Sequence, residues 1–248
     1  MWKIIDVHAH YGKWFFPIEA DSPQAILHIC RRFGIEKVIF SSTNAVVYDM
    51  AEGNRELSRL LEAYPQFYGY VTLNPNYIEA SKQEIQTYLA SERFLGVKLH
   101  PNYSGQALDS SESQELIKEF YPYGKPLLVH TWGESGVNAV TQVAKAFPSL
   151  QIIMAHMGGD GLEGRGWRAA IKAAKNLPNT YLEVCGSVQD RDRIREAVDA
   201  VGAERILFGS DMTLINPVYI IGVIEDADIP REAKELIFYE NAKRLFNL

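Results

Sequence analysis

Cysteine is scarce in this chain. Its 248 residues include two, Cys30 and Cys185, too far apart in sequence to read as a metal-ligand pair. Nothing therefore suggests a disulfide framework, and a reducing cytoplasm is the expected compartment. Long apolar runs are missing as well: none reaches the ~18 residues of a membrane helix. The opening Met1-Trp2-Lys3-Ile4-Ile5-Asp6 lacks the basic region, apolar stretch and cleavage site of a signal peptide. Positive charge is in deficit, with a net −6 at pH 7, which counts against a nucleic acid or an anionic membrane as partner. No Gly-x-Gly-x-x-Gly follows the first apolar run, so a dinucleotide site has no support. Low-complexity segments and Pro/Gly/Ser linkers are absent too, and residues 1–248 read as one domain.

What is present is globular in composition, 47% hydrophobic and 23% charged, which excludes disorder. At this length most of the apolar surface can be buried without a structural metal. Short β-branched or apolar runs begin near residues 3, 37, 68, 96, 126, 150, 180 and 205: KIIDVH, KVIFSS, YGYVTL, GVKLH, PLLVHT, LQIIMAH, TYLEVCG and RILFGSD. Neighbouring starts lie 24 to 34 residues apart, the length of a strand-loop-helix unit. Between them the apolar residues take helical spacing. Ile26, Ile29, Cys30 and Phe33 follow Ser22-Pro23, an N-cap with proline behind it, and Gly34 closes the helix. Leu57, Leu60, Leu61 and Tyr64 repeat the pattern before Pro65, as do Val137, Val140, Val143, Ala144 and Phe147 before Pro148. Eight such units predict a single (β/α)8 TIM barrel, with an open doubly wound sheet as the alternative.

Five of the six histidines close a predicted strand: His8 and His10 the first, His100 the fourth, His130 the fifth and His156 the sixth. In a barrel those strand ends converge on one face, where active sites of this fold lie. His8 and His10 are two apart on one strand and point the same way, half of a site for a divalent ion such as zinc. Asp6, read as sharing their parity one layer deeper, is expected to orient a ligand histidine. Asp211 follows an apolar eighth strand, where a carboxylate is costly to bury unless it meets a cation. It could bind the metal with one oxygen and take a proton from bound water with the other; the plain alternative is a helix cap. Lys98 and His100 share parity and are both expected to face the cavity.

The DVHAH, GVKLHP, LLVHTWG, AHMGG and FGSD segments, in that order, resemble the amidohydrolase superfamily, and within it the amidohydrolase 2 group with its aminocarboxymuconate-semialdehyde decarboxylase relatives. The closing ENAKRLFNL is similar to that group's C-terminal helix. The resemblance implies His8, His10, His130 and Asp211 as ligands of one divalent metal, usually zinc, with manganese or another divalent ion as alternatives. It implies His156 as the group acting on substrate or bound water. The residues alone leave open whether His130 or His156 is the third histidine ligand. In two-metal members a lysine ending strand four is carboxylated; the one-metal relatives imply that Lys98 stays a free amine that binds a substrate carboxylate or polarises a carbonyl.

The expected activity is metal-dependent hydrolysis of an amide, ester or lactone in a small, carboxylate-bearing substrate, with His156, Asp211, Lys98 and His100 as the catalytic side chains. The alternatives are metal-dependent non-oxidative decarboxylation of an aromatic or muconate-like acid, and a metal-free lactonase or hydratase. A metal-free barrel lyase or isomerase and a non-catalytic metal-binding scaffold are the readings from other classes. Trp14, Tyr103 and Trp132 follow strands whose ends face the cavity and are expected to wall a pocket for a planar substrate. Glu183, inside strand seven, needs an inward partner, with Lys98 as candidate. Loops shorter than in many members leave substrate choice open and a homodimer to complete the pocket. His28 is expected on the surface and Cys30 in the core.

Overall fold

The computed structural model describes residues 2–18, 21–159, 165–186 and 192–248. Eight parallel strands run in chain order around a barrel: β1 (Ile4–Tyr11), β2 (Ile35–Ser42), β3 (Phe67–Thr72), β4 (Phe94–Leu99), β5 (Leu127–His130), β6 (Ile152–Ala155), β7 (Thr180–Glu183) and β8 (Ile206–Leu207). The helices α1 (Pro23–Phe33), α2 (Thr43–Val47), α3 (Met50–Ala63), α4 (Ile78–Tyr88), α5 (Pro101–Ser104) and α6 (Ser111–Phe120) belong to its first half. The second half carries α7 (Gly133–Ala146), α8 (Arg165–Asn176), α9 (Arg193–Val201), α10 (Pro217–Asp226), α11 (Arg231–Glu235) and α12 (Asn241–Phe246). No described helix is long and apolar enough to cross a membrane.

Local chemistry accounts for the element boundaries. The Ser22 hydroxyl accepts from the Ala25 N–H, Pro23 occupies the first turn of α1, and Gly34 ends it at φ 74. Ile26 and Cys30 are the buried stripe of that helix, and His28 is exposed. The large apolar cluster lies between strands and helices; Val38, Phe40, Val71, Val97, Val129 and Met154 face Leu57, Leu61, Ile117, Val140 and Trp167. A smaller cluster fills the barrel axis with Ile5, Val7, Ile39, Tyr70, Leu128, Ile153 and Leu207, and Ala242 and Phe246 of α12 close it at the amino ends of the strands. The Tyr70 hydroxyl donates to the Val7 carbonyl at 2.8 Å, so the ring enters the axis without an orphaned oxygen.

The β8–β1 seam has little regular ladder. Val7 N–H donates to Phe208 O at 3.1 Å and Asp211 N–H to His8 O at 2.8 Å, and a single bridge joins Ala9 to Met212. This seam carries the carboxylate end of the candidate site directly against the histidine strand.

One irregularity sets the site. Between Asp6 and Ala9 the register of β1 on β2 slips: Asp6 pairs with Val38 but Ala9 with Phe40, one residue more on β1 than on β2. The bulge reverses the alternation of β1. Ile5 and Val7 therefore fill the axis below, while His8 and His10 point into the mouth above. Asp6 does not share their parity, contrary to the strict two-residue period assumed for the strand.

Candidate active site

The mouth gathers buried polar atoms that the fold leaves unpaired. Ser41 Oγ, Thr72 Oγ1, His100 Nδ1, His10 Nδ1 and Glu183 Oε1 have no hydrogen-bond partner, nor do Trp14 Nε1 and Thr213 Oγ1 in the loops beyond the strands. All sit at or past the carboxyl ends of strands. Backbone strain collects there as well. His156, Met157 and Asp211 adopt φ of 59°, 48° and 60°, a left-handed region that costs ~1–3 kcal/mol per non-glycine residue and concentrates at functional sites.

His8 and His10 both reach Asp211. His10 Nε2 lies 3.1 Å from Asp211 Oδ1 and His8 Nε2 3.7 Å from the same oxygen, and the three side chains are buried. Behind His8, Glu183 Oε2 lies 2.9 Å from Nδ1, which holds that ring so that Nε2 faces Asp211. Gly209 permits this approach, since a Cβ there would collide with Glu183 Oε1 and His8 Cβ. Glu183 Oε2 also accepts the His156 backbone N–H at 3.1 Å, fixing the strained residue that carries the strand-six imidazole. His156 Nε2 lies 3.0 Å from His130 Nδ1, and His130 stacks on His100 with centroids 4.1 Å apart.

Burial governs the protonation states. It lowers His8, His10, His100, His130 and His156 from the ordinary imidazole value, His156 to about 4, and the crowding of cationic neighbours adds to the effect. All five are neutral at pH 7, the form that can ligate a metal. Burial also pushes Asp211 upward, but the His10 hydrogen bond and the charges of His156 and Lys98 outweigh it and hold the carboxyl well below the usual range. Glu183 is raised to about 8 by burial, and Lys98 is lowered to about 8 by the same cause against the pull of Asp211, Cys185 and Glu183.

Neutral imidazoles and an ionised carboxylate suit a divalent ion. Among the described residues, His8, His10 and Asp211 offer ligand atoms within 4.8 Å of one another, and so do His8, His156 and Cys185. The first group fits a metal better: Glu183 already occupies the Nδ1 side of His8, and Nε2 is the atom turned to its neighbours.

A cavity of about 320 Å³ opens above these groups, at the small end of ligand pockets (~300–1,000 Å³). His10, His100, Asn102, His130, His156 and Asp211 form its polar lining, and Trp14, Phe16, Tyr103 and Leu214 its other walls.

Not every expected side chain reaches this cavity. Trp132 stacks flat against His130, with centroids 5.9 Å apart and planes 6° apart, and faces a neighbouring groove with Asn102, Gln106 and Asn138. His130 forms the wall between the two spaces and so shields the central cavity from the indole. Lys98 lies inside β4, two residues before His100, which follows the strand, and so sits about 6.6 Å deeper along the chain direction. It is fully buried with Nζ 3.2 Å from His8 Nε2, neither lining the cavity nor using Asp211 or Glu183 as its nearest partner.

Asp6 does not hold a histidine ring. It accepts the His8 and Ser210 backbone N–H groups at 3.1 and 3.0 Å and the Ser210 hydroxyl at 2.5 Å, tying β1 to the loop that carries Asp211. The second carboxylate expected of Asp6 is supplied by Glu183. Asp211 is not a helix cap; α10 is capped by Asn216.

Cys185 is the participant that sequence reasoning missed. Its Sγ lies 3.0 Å from His156 Nδ1 and 3.2 Å from His8 Nδ1. The available signal was its spacing of two from Glu183. Asn102 and Leu214 were missed as well and line the cavity from segments whose course no strand period sets, whereas Phe16 belongs to the aromatic loop after the first strand that the sequence offered as a pocket wall.

Comparison with known proteins follows the same lines. The amidohydrolase family profile matches residues 5–248. The gamma-resorcylate decarboxylase of Polaromonas sp. (strain JS666 / ATCC BAA-500) is 30% identical over 145 residues, a match covering 49% of this chain and 44% of that protein, so the chain spans less than half of this curated relative. A solved 2,6-dihydroxybenzoate decarboxylase complexed with 2,6-dihydroxybenzoate superposes with a TM-score of 0.83 at 17% identity, over 100% of both chains. A dihydroxybenzoic acid decarboxylase from Polaromonas sp. JS666, with bound manganese and 2-nitroresorcinol, superposes with a TM-score of 0.76 at 18% identity, over 100% of this chain and 98% of the other. At such identities the structural likeness establishes the barrel. The family match over nearly the whole length establishes more: this chain is an enzyme of the amidohydrolase family.

Proposed function

We propose that this enzyme catalyses metal-dependent, non-oxidative decarboxylation of a small hydroxylated aromatic acid. The observation that carries the reading is the cavity: its volume suits one substituted ring, Trp14, Phe16 and Tyr103 wall it, and imidazoles and a carboxylate meet at its floor. The decarboxylase relatives support this chemistry over hydrolysis of an amide, ester or lactone, which the sequence favoured. The manganese bound in the dihydroxybenzoic acid decarboxylase from Polaromonas sp. JS666 likewise supports that ion over zinc for this site.

His8, His10 and Asp211 would hold the metal, with His130 as the further ligand that the family resemblance implies. When bound, a divalent ion supplies a Lewis-acid charge that attracts an anionic substrate and stabilises charge developing on its oxygens. The protein does the rest. Aromatic walls orient the ring and exclude water from the floor. In decarboxylation the bond between ring carbon and carboxyl carbon breaks, carbon dioxide leaves, and the electron pair stays on the ring. A proton then forms the new C–H bond. His156 lines the cavity with Nε2 beside His130 Nδ1 and its backbone fixed by Glu183, and as a neutral imidazole it is placed to relay that proton from solvent. His100, stacked on His130, keeps that imidazole from swinging into the substrate space.

The test is to load the untagged protein with manganese, count bound metal by elemental mass spectrometry, and follow carbon dioxide release from 2,6-dihydroxybenzoate and a panel of other hydroxybenzoates. The expected result is about one equivalent of metal and turnover of at least one ring acid, both lost in the His8→Ala, His10→Ala double variant. A metal-loaded enzyme that hydrolyses a lactone or amide and releases no carbon dioxide would reverse the assignment. Full metal occupancy in the double variant would remove the site itself.

A further inference from the structure

We propose that Cys185 is a positioning residue: its thiol pins Nδ1 of His156, so that Nε2 of that ring faces the substrate cavity. The inference rests on the reading of His156 as the proton carrier, and it concerns a residue two places beyond the end of β7.

Several contacts define the geometry. Cys185 is fully buried, and one atom, Sγ, touches both His156 Nδ1 and His8 Nδ1, at 3.0 and 3.2 Å. Gly186 follows at φ 59°, and its Cα approaches so closely that a Cβ there would sit 3.4 Å from His156 Nδ1. The end of β7 therefore grips His156 twice. Glu183 accepts its backbone N–H and Cys185 meets its ring.

The second grip acts on the ring itself. Its packing partners, His8, His130 and Trp132, all meet it at steep angles between 62° and 71°. Edge contacts of this kind fix the plane of an imidazole but do not distinguish it from the ring turned by 180°, which exchanges nitrogen for carbon at each position. Polar atoms on the ring nitrogens do distinguish them: His130 Nδ1 lies 3.0 Å from Nε2, and Cys185 Sγ lies 3.0 Å from Nδ1. A thiol is both a weak donor and a weak acceptor, so it serves whichever ring nitrogen carries the proton. A hydroxyl in its place has the same capacity, and a methyl group has none. The same sulfur on His8 Nδ1 places the proton-carrying histidine and an expected metal ligand against one shared atom, so a shift of one is felt by the other.

The test compares Cys185→Ala and Cys185→Ser in the full chain labelled with [15N]histidine and loaded with diamagnetic zinc. The His156 ring signals are assigned by their loss in His156→Gln. In Cys185→Ala both His156 ring nitrogens are expected to shift, and kcat on 2,6-dihydroxybenzoate to fall roughly 10- to 100-fold while KM and metal content hold. Cys185→Ser is expected to restore the ring signals and most of kcat. Wild-type His156 signals in the alanine variant would overturn the proposal, as would a serine variant no better than alanine. Should the alanine variant fail to fold, the serine variant decides alone: His156 ring signals that leave their wild-type positions there refute the positioning role. The spectra read the resting protein, so a failure of the decarboxylase assignment would appear in turnover and leave this result standing.

Discussion

At the amino ends of the strands, buried polar side chains are fully used. Asn179 donates to the carbonyls of Ala144, Phe147 and Leu150 at 3.0–3.2 Å, gathering the end of α7 and the approach to β6 onto β7. Asn241 donates to the carbonyls of Ala203 and Ile206 at 2.7 and 2.8 Å, and Arg93 to those of Leu61, Tyr64, Pro65 and Phe67. At the carboxyl ends the situation is reversed, with Ser41, Thr72, His10, His100 and Glu183 each presenting a buried atom without a partner. Both regions bury polar groups, but the second recovers the cost of desolvation in hydrogen bonds only in part. The difference separates the part of the barrel that holds the fold from the part reserved for chemistry.

Three substitutions probe that division, from large effect to small. Glu183→Gln keeps the volume at the mouth but weakens the hold on the His8 ring, so metal affinity measured by chelator competition is expected to fall ~10- to 100-fold. Unchanged affinity would mean that Glu183 belongs with the structural brackets. Asn179→Ala leaves three carbonyls short of a donor and is expected to cost about 1–3 kcal/mol. In thermal unfolding that is a lowering of Tm by roughly 2–4 °C per kcal/mol at this size, with metal content unchanged; a variant that keeps its Tm but loses metal would blur the boundary. Thr72→Val removes a buried hydroxyl that has no partner and fills the same space, so stability is expected to stay within about 0.5 kcal/mol or to rise. A loss above 1 kcal/mol would show that the mouth hydroxyls also support the fold.

The barrel itself was legible because each unit repeats two simple periods. Strand runs read from 3, 37, 68, 96, 126, 150, 180 and 205 correspond to strands that begin at residues 4, 35, 67, 94, 127, 152, 180 and 206. The gathering of His8, His10, His100, His130, His156 and Asp211 around one mouth followed from their places at strand ends. Three finer expectations failed for separate reasons. Asp6 was misplaced because one extra residue in β1 reversed the alternation, and nothing in a period of two announces a bulge. Lys98 was misplaced because parity gives the face of a strand and not the depth. Trp132 was misplaced because whether a loop side chain reaches the cavity depends on which neighbour stands in front of it, here His130.

The sequence by itself determined the number and order of the strands, the layer facing the helices and the face on which the titratable groups collect. Those properties follow from local periodicity and from the cost of burying charge, which every segment carries in its own residues. The tertiary structure alone decided which carboxylate holds His8, how deep Lys98 lies, and that Cys185, 29 residues from His156, meets its ring. These outcomes depend on closure at the β8–β1 seam and on the bulge in β1, where segments far apart in the chain set one another's register. No single stretch of sequence contains that information, because it arises only when the segments pack.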